Sequence, residues 1–214
     1  MNKVVKAYIT SDTIFWAVNL SMLSFFPLYA EKIFNGDILL ATLVVALYPI
    51  VRGLVQLPFS KIMDSLKGYN DEKIFMILGI FISTFAIFML LFNQSSSILI
   101  VRQILAGIGD GMFLIASKKQ INRHLDKNSV GYEIAIGTTA VLFIGAVALV
   151  LAGFISSKFG FYITFFLIAF MNLMAFIPVI LVSKDEAIKD LTGESSPVSQ
   201  DANAPVLETD DTAQ

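Results

Sequence analysis

Four ionisable side chains lie inside runs that are otherwise strongly apolar: Asp12, Arg52, Arg102 and Asp110. At the centre of a bilayer each costs about 2.5–3.5 kcal/mol on insertion scales, so each needs a partner or contact with water. The four formal charges sum to zero, which permits pairing. Intramembrane carboxylates can take up and release protons, and guanidinium groups can hold a solute, so such a set points to a pathway through a membrane. The polar residues keep to helix faces. Tyr8, Asp12 and Asn19 are spaced by four and seven, and Tyr48, Arg52, Gln56 and Ser60 recur every four. Stripes of this kind face an aqueous cavity or a protein interior, with a purely structural ion pair as the alternative.

The elements that must position these residues follow from composition. The 214-residue chain is 56% hydrophobic, with 19 Phe and only 15% charged residues, and its mean hydropathy is +0.76. That exceeds the roughly 45–50% apolar usage of soluble domains and makes lipid the natural solvent. Six segments approach the ~20 apolar residues that a crossing needs: about 7–29, 38–60, 74–93, 97–117, 132–155 and 161–183. Short links separate them, centred on EKIFNGD (31–37), SLKGYNDEK (65–73), NQSSS (93–97), NRHLDKNSVG (122–131) and SSKFG (156–160). The expected fold is all-α: a six-transmembrane-helix bundle over 1–183, followed by a disordered acidic tail over 184–214.

The net charge of −2 averages these two regions. Residues 185–214 hold eight acids and one base, which leaves 14 bases against 9 acids, or +5, for residues 1–184. The tail has too few large apolar residues to bury a core. With the N-terminus inside, eleven Lys and Arg outside the spans fall on the inner face, and only Lys32 and Lys158 on the outer. The positive-inside rule then makes both termini cytoplasmic and the chain an integral protein of a plasma or inner membrane. The first segment is too long for a signal-peptide core and is expected to remain as an anchor.

Depth decides which charges can meet. Asp12, Arg52 and Asp110 share the inner half of the bilayer, whereas Arg102 lies ~12 Å from Asp110 along the axis, toward the outer half. Gly107 and Gly111 form a GxxxG that lets another helix approach closely, and Gly109 lies between them. GIGDG (107–111) is not a nucleotide loop, because no strand precedes it. SVGYE (129–133) echoes a potassium-channel filter but falls at a helix start. The chain has no Cys and one His, His124 in a loop, so thiol, disulfide, metal and triad chemistry lack their residues and no cofactor or metal is expected. Neither the Ser–His pair of an intramembrane protease nor a paired-Asp motif is present, so an enzyme is not expected.

Several weak motifs then stand in a recognisable order. Arg102, Gln103, Gly107 and Gly109 follow one another in span 4; SKIMDSLKGYNDEK (60–73) links spans 2 and 3; FPLYAEKI closes span 1; AGFISSKFGFYITFFLI crosses spans 5 and 6. Together they resemble the major facilitator superfamily of secondary transporters, over residues 1–183 and as one six-span half of its usual twelve. The 60–73 loop is similar to the family's signature Gly-x-Leu-Ala-Asp-Arg-x-Gly-Arg-Arg, with Asp64 at the central Asp, Gly68 one place from the later Gly, Ser60 for the first Gly, and a diluted basic run. Span 5 keeps Gly145 and Gly153 but has Leu149 and Val150 where the drug/proton antiporters carry Gly-Pro, which argues against that subgroup.

The resemblance implies a solute cavity between two six-helix bundles related by an axis along the membrane normal. One bundle cannot enclose it, so the expected partners are the lipid bilayer, a small-molecule substrate, and a second copy or a separate six-span half, with no nucleic acid. By resemblance to proton-coupled members, Asp12 is the candidate proton carrier, Arg52 and Asp110 tune it or bind substrate, and Arg102 holds an outer-side network. Asp64 of one copy is expected to meet the start of span 5, near Gly131 to Glu133, of the other. The competing expectation is a non-transporting assembly or regulatory protein derived from a transporter half.

Overall fold

In hydrocarbon a backbone N–H or C=O has no water to bond, so a long apolar run must satisfy its own backbone as helix. The computed structural model describes residues 3–65, 69–92, 95–126 and 128–183, with no strand among them. The helices are α1 (Lys3–Ile33), α2 (Ile38–Ser65), α3 (Tyr69–Phe92), α4 (Ser96–His124), α5 (Val130–Met174) and the short α6 (Phe176–Leu181). Gly68 and the 184–214 tail lie outside the described residues.

Local chemistry sets the ends. Asn35 and Gly36 take φ of 53° and 86°, the left-handed conformation that Asn and Gly adopt most readily after a helix. There the Gly36 N–H donates to the Glu31 carbonyl at 2.9 Å. Asp37 then accepts from the Leu40 N–H at 3.0 Å and caps α2. Ser95 caps α4 through the Ile98 N–H at 3.4 Å.

Five helices are long and apolar enough to cross a bilayer, the last counted continuously over Val130–Leu181. α5 alone has 45 residues, about 67 Å of helix and more than twice a hydrocarbon core. It does not run straight. Gly160 sits at φ 84°, ψ 173°, outside helical geometry. Before that break, Gly137, Gly145 and Gly153 pack against Ile9, Ala17 and Phe25 of α1, so the numbers rise together and the strands of contact run parallel. After it, Phe161 and Phe165 meet Tyr29, Asn172 meets Asn19, and the Ala175 carbonyl accepts from Ser11. The order is reversed, so the second arm returns along α1 in the opposite direction.

α4 is the hub. A Cβ on Gly107 would stand 2.9 Å from Val51 Cβ and 3.0 Å from both the Arg52 N and the Tyr48 O, and one on Gly111 would stand 3.3 Å from Val55. Those two glycines let α4 press against the α2 backbone. Gly109 faces the other way: its Cβ would lie 2.7 Å from the Ser83 N and 2.8 Å from the Gly79 O of α3. Close backbone approach with small residues is the main source of helix association in lipid. Apolar side chains fill the rest in two clusters. Phe15, Met76 and Phe113 centre the one near the N-terminus, and Met22, Phe26 and Phe165 the one toward the opposite end. α2 is the least covered helix, burying only Ala41, Val44 and Met63.

This packing predicts that Gly109→Leu forces α3 and α4 apart and destabilises the bundle by roughly 1–3 kcal/mol, the usual cost of overpacking. Gly53 has no heavy atom within 4 Å of a built Cβ, so Gly53→Ala should leave stability equal or raise it by up to about 1 kcal/mol through helix propensity. Thermal unfolding in detergent reads both; a Gly109→Leu protein melting with the parent contradicts the close approach.

Candidate functional site

α2 carries Pro49 in its interior. Proline has no N–H, so the carbonyl four residues earlier, that of Val45, loses its helical donor. Gln103 of α4 reaches that carbonyl through Nε2 at 3.4 Å. The neighbouring Arg102 donates to Gln103 Oε1 and lays its guanidinium over the Phe26 ring, 4.6 Å from the centroid. A helical irregularity in α2 therefore helps to hold Gln103, and Gln103 holds Arg102.

Tyr48 and Arg52, which flank Pro49 on α2, meet as an i, i+4 pair. Arg52 donates to the Tyr48 hydroxyl at 3.2 Å, and that hydroxyl donates to Asp110 Oδ2 at 2.7 Å. The face of the Arg52 guanidinium rests on Trp16 of α1, 4.4 Å from the ring centroid, a favourable seat for a cation away from water. The Trp16 indole N–H in turn donates to Asp12 Oδ1 at 3.2 Å. Asp12 also accepts from Ser117 Oγ at 3.0 Å and pairs with Lys118 at 3.3 Å. A continuous series of contacts thus runs from Lys118 through Asp12, Trp16, Arg52 and Tyr48 to Asp110.

Trp16, Arg52, Tyr48 and Asp110 border a cavity of about 260 Å3 between α1, α2 and α4, with Val141 and Leu142 of α5 on its remaining side. The cavity brings together Asn19, Tyr48, Arg52, Arg102, Gln103 and Asp110, all singled out in the sequence, and adds Trp16. Arg102 and Asp110 reach the same space despite their axial offset. Asp12 and Gln56 are not on its wall. Asp12 is reached through Trp16 instead, and Gln56 is half-buried farther along α2. Asn19 also works structurally: it donates to Asn172 Oδ1 at 3.2 Å, and Asn172 donates to Thr84 at 3.0 Å, tying α1, α3 and α5 together.

Magnitudes separate the two carboxylates. Asp110 is almost wholly buried, where a hydrogen bond to a charged group contributes about 1.5–3 kcal/mol. Lys118 is 52% exposed at its side chain, so its pair with Asp12 contributes no more than about 1 kcal/mol. Water competes more readily for the Asp12 pair than for the Tyr48–Asp110 bond.

A second polar cluster lies at the N-terminal end of the bundle, on the other side of α4. Glu72 of α3 is fully buried and pairs with Lys119 at 3.3 Å and Arg123 at 2.9 Å. Lys119 also pairs with Asp64 at 3.4 Å, whose side chain stays 78% exposed, and donates to the Met63 carbonyl at 2.6 Å. That carbonyl is among the last of α2, which the helix itself leaves without a donor. Among the described residues no group of three or more His, Cys, Asp or Glu could hold a metal ion.

The spacing of the sequence contains most of this. Asp12 and Trp16, like Tyr48 and Arg52, stand at i, i+4, and Pro49 marks the freed carbonyl. The Glu72 cluster and the pairing of Asp12 with Lys118 are less legible, because α4 continues as helix to His124 past the apolar run and carries three bases inward with it.

No curated protein matches the chain. The family model described as Major Facilitator Superfamily matches residues 8–208. With its membrane-length helices, its close-packed α4 and a charged cavity between them, the chain is an integral membrane protein that belongs to the Major Facilitator Superfamily.

Proposed function

We propose that the chain is a six-crossing bundle of a secondary, proton-coupled carrier for a small solute, with both termini cytoplasmic, and that it acts with a second bundle. The cavity bounded by Arg52, Arg102 and Asp110 carries this reading: an apolar bundle of a transporter family keeps three ionisable side chains around one internal space. Six crossings are supported by the break at Gly160 and by the opposite directions in which the two arms of α5 follow α1. The need for a second bundle is supported by α2, whose Gln56 and Arg52 are only half covered although they share a polar stripe.

In this reading Asp12 exchanges the proton. Protonated, it loses its attraction for Lys118 and weakens its hold on the Trp16 indole. Trp16 is also the seat of Arg52, so occupancy of the cavity and protonation of Asp12 act on one side chain from opposite sides. Coupling needs such a shared element, because a ligand shifts an equilibrium only through its differential affinity for two states. Asp64, exposed beside Lys119, and the exposed Gly131 at the start of α5 are both available to a second bundle, in line with contact between Asp64 of one copy and the 131–133 region of another. The positive end of α5 favours an acid there. The alternative, a non-transporting assembly protein, is favoured by the extent of uncovered α2 surface.

In proteoliposomes, wild-type protein should show proton movement driven by a solute gradient across a panel of small solutes, and Asp12→Asn should abolish the proton movement. Unchanged coupling in Asp12→Asn removes Asp12 from the proton path, and an absence of any flux in wild type favours the assembly reading. Cysteines placed at 64 and 131 should crosslink between copies; a protein that stays monomeric and uncrosslinked contradicts pairing through these sites.

A further inference from the structure

The cavity has a charge imbalance that its own contacts leave unmet. Two guanidiniums and one carboxylate face it, a formal surplus of one positive charge. Asp110 is engaged by the Tyr48 hydroxyl rather than by either arginine. Among the described residues neither Arg52 nor Arg102 forms an ion pair. Each rests on an aromatic ring instead, Trp16 for one and Phe26 for the other. The Nε of both is buried with no hydrogen-bond acceptor. Arg102 as a whole is only 5% exposed.

A buried cation without a counter-charge is costly, and an N–H donor left without an acceptor adds to that cost. Aromatic faces offset part of that cost, and a ring face does so without using the in-plane donors of the guanidinium. Those donors match the two oxygens of a carboxylate, which Arg recognises in a planar, bidentate manner. Besides Asn19, Tyr48 and Gln103, which are held by contacts within the bundle, the rest of the wall is apolar: Leu20, Met22, Leu23 and Val45 leave room for a hydrocarbon body. From this juxtaposition we infer that the cavity binds a small organic monoanion, a carboxylate on an apolar body about the size of one aromatic ring. Its oxygens meet the unsatisfied edges of Arg52 and Arg102, and its body lies along Trp16 and the aliphatic wall. The inference rests on the cavity being the solute path of the proposed carrier.

Trp16 is the only tryptophan in the chain and forms part of the wall, so its emission reports on occupancy. Purified full-length protein in detergent is titrated with benzoate, with benzamide and benzylamine as neutral and cationic probes of similar shape. Benzoate should change the emission saturably and the other two should not. Arg102→Gln should weaken the benzoate response roughly tenfold or more, and Arg102→Lys should retain part of it. If Arg102→Gln does not fold, the comparison of the three probes on wild type decides alone. No saturable response to benzoate, or an equal response to benzamide, overturns the anion site. A protein that transports neutral solutes yet ignores benzoate loses the anion class and keeps the carrier reading. Benzoate binding without any flux upholds the anion site and removes the carrier.

Discussion

A charge placed inside hydrocarbon must be satisfied by the protein, because the solvent offers nothing. That constraint organises the bundle. Arg102 lies over Phe26 and is held by Gln103; Arg52 lies between Trp16 and Tyr48; Asp110 takes the Tyr48 hydroxyl; Asp12 collects three donors from α1 and α4. None of these arrangements works unless the helices carrying the partners stand within side-chain reach of one another. The glycines of α4 provide that closeness. Gly107 and Gly111 bring the backbone of α2 up to α4 at the level of Tyr48 and Arg52, and Gly109 brings up α3 beside Ser83. The same residues that permit tight packing therefore fix the depth at which Tyr48 meets Asp110. Aromatic rings complete the set, since they stabilise a cation through the ring face while presenting apolar edges to their neighbours.

The two carboxylates differ in environment. Asp110 is buried and accepts the Tyr48 hydroxyl. Asp12 is paired with a half-exposed lysine. Trp16 joins them, with its N–H on one and its ring under the arginine that reaches toward the other. Glu72, Lys119, Arg123 and Asp64 form a separate clamp between α2, α3 and α4 near the N-terminal end, so the helices around the cavity are fastened by charge at one end and by glycine contacts in the middle.

Much of this was legible in the sequence because helical geometry is short-range and regular. The four intramembrane charges, the stripe from Tyr48 to Ser60 and the Gly107/Gly111 spacing all follow from a 3.6-residue repeat. What was not legible depends on contacts between helices. Nothing in the spacing says that Gly79 of α3 is the counterpart of Gly109, that Asn172 bridges Asn19 and Thr84, or that Arg102 turns toward the Asp110 cavity across their difference in depth. Lys118 was readable as a basic residue past the end of span 4, yet its pairing with Asp12 depends on α4 remaining helical to His124. Glu72 was hidden for the same reason: an acid in a short polar link looks solvated until the helix starting at Tyr69 carries it into the packed interior.

The central claim is that the space bounded by Arg52, Arg102 and Asp110 is a polar path rather than a sealed ion-pair core, and the absence of native cysteine allows a direct test. Single cysteines are introduced at Asn19, Gln103 and Leu142 around the cavity, and at Leu54 and Phe166 on exposed apolar surface. Each is treated in membranes with a membrane-impermeant, charged thiol reagent. The account predicts modification at 19, 103 and 142 and none at 54 and 166. Protection of the three cavity positions together contradicts it.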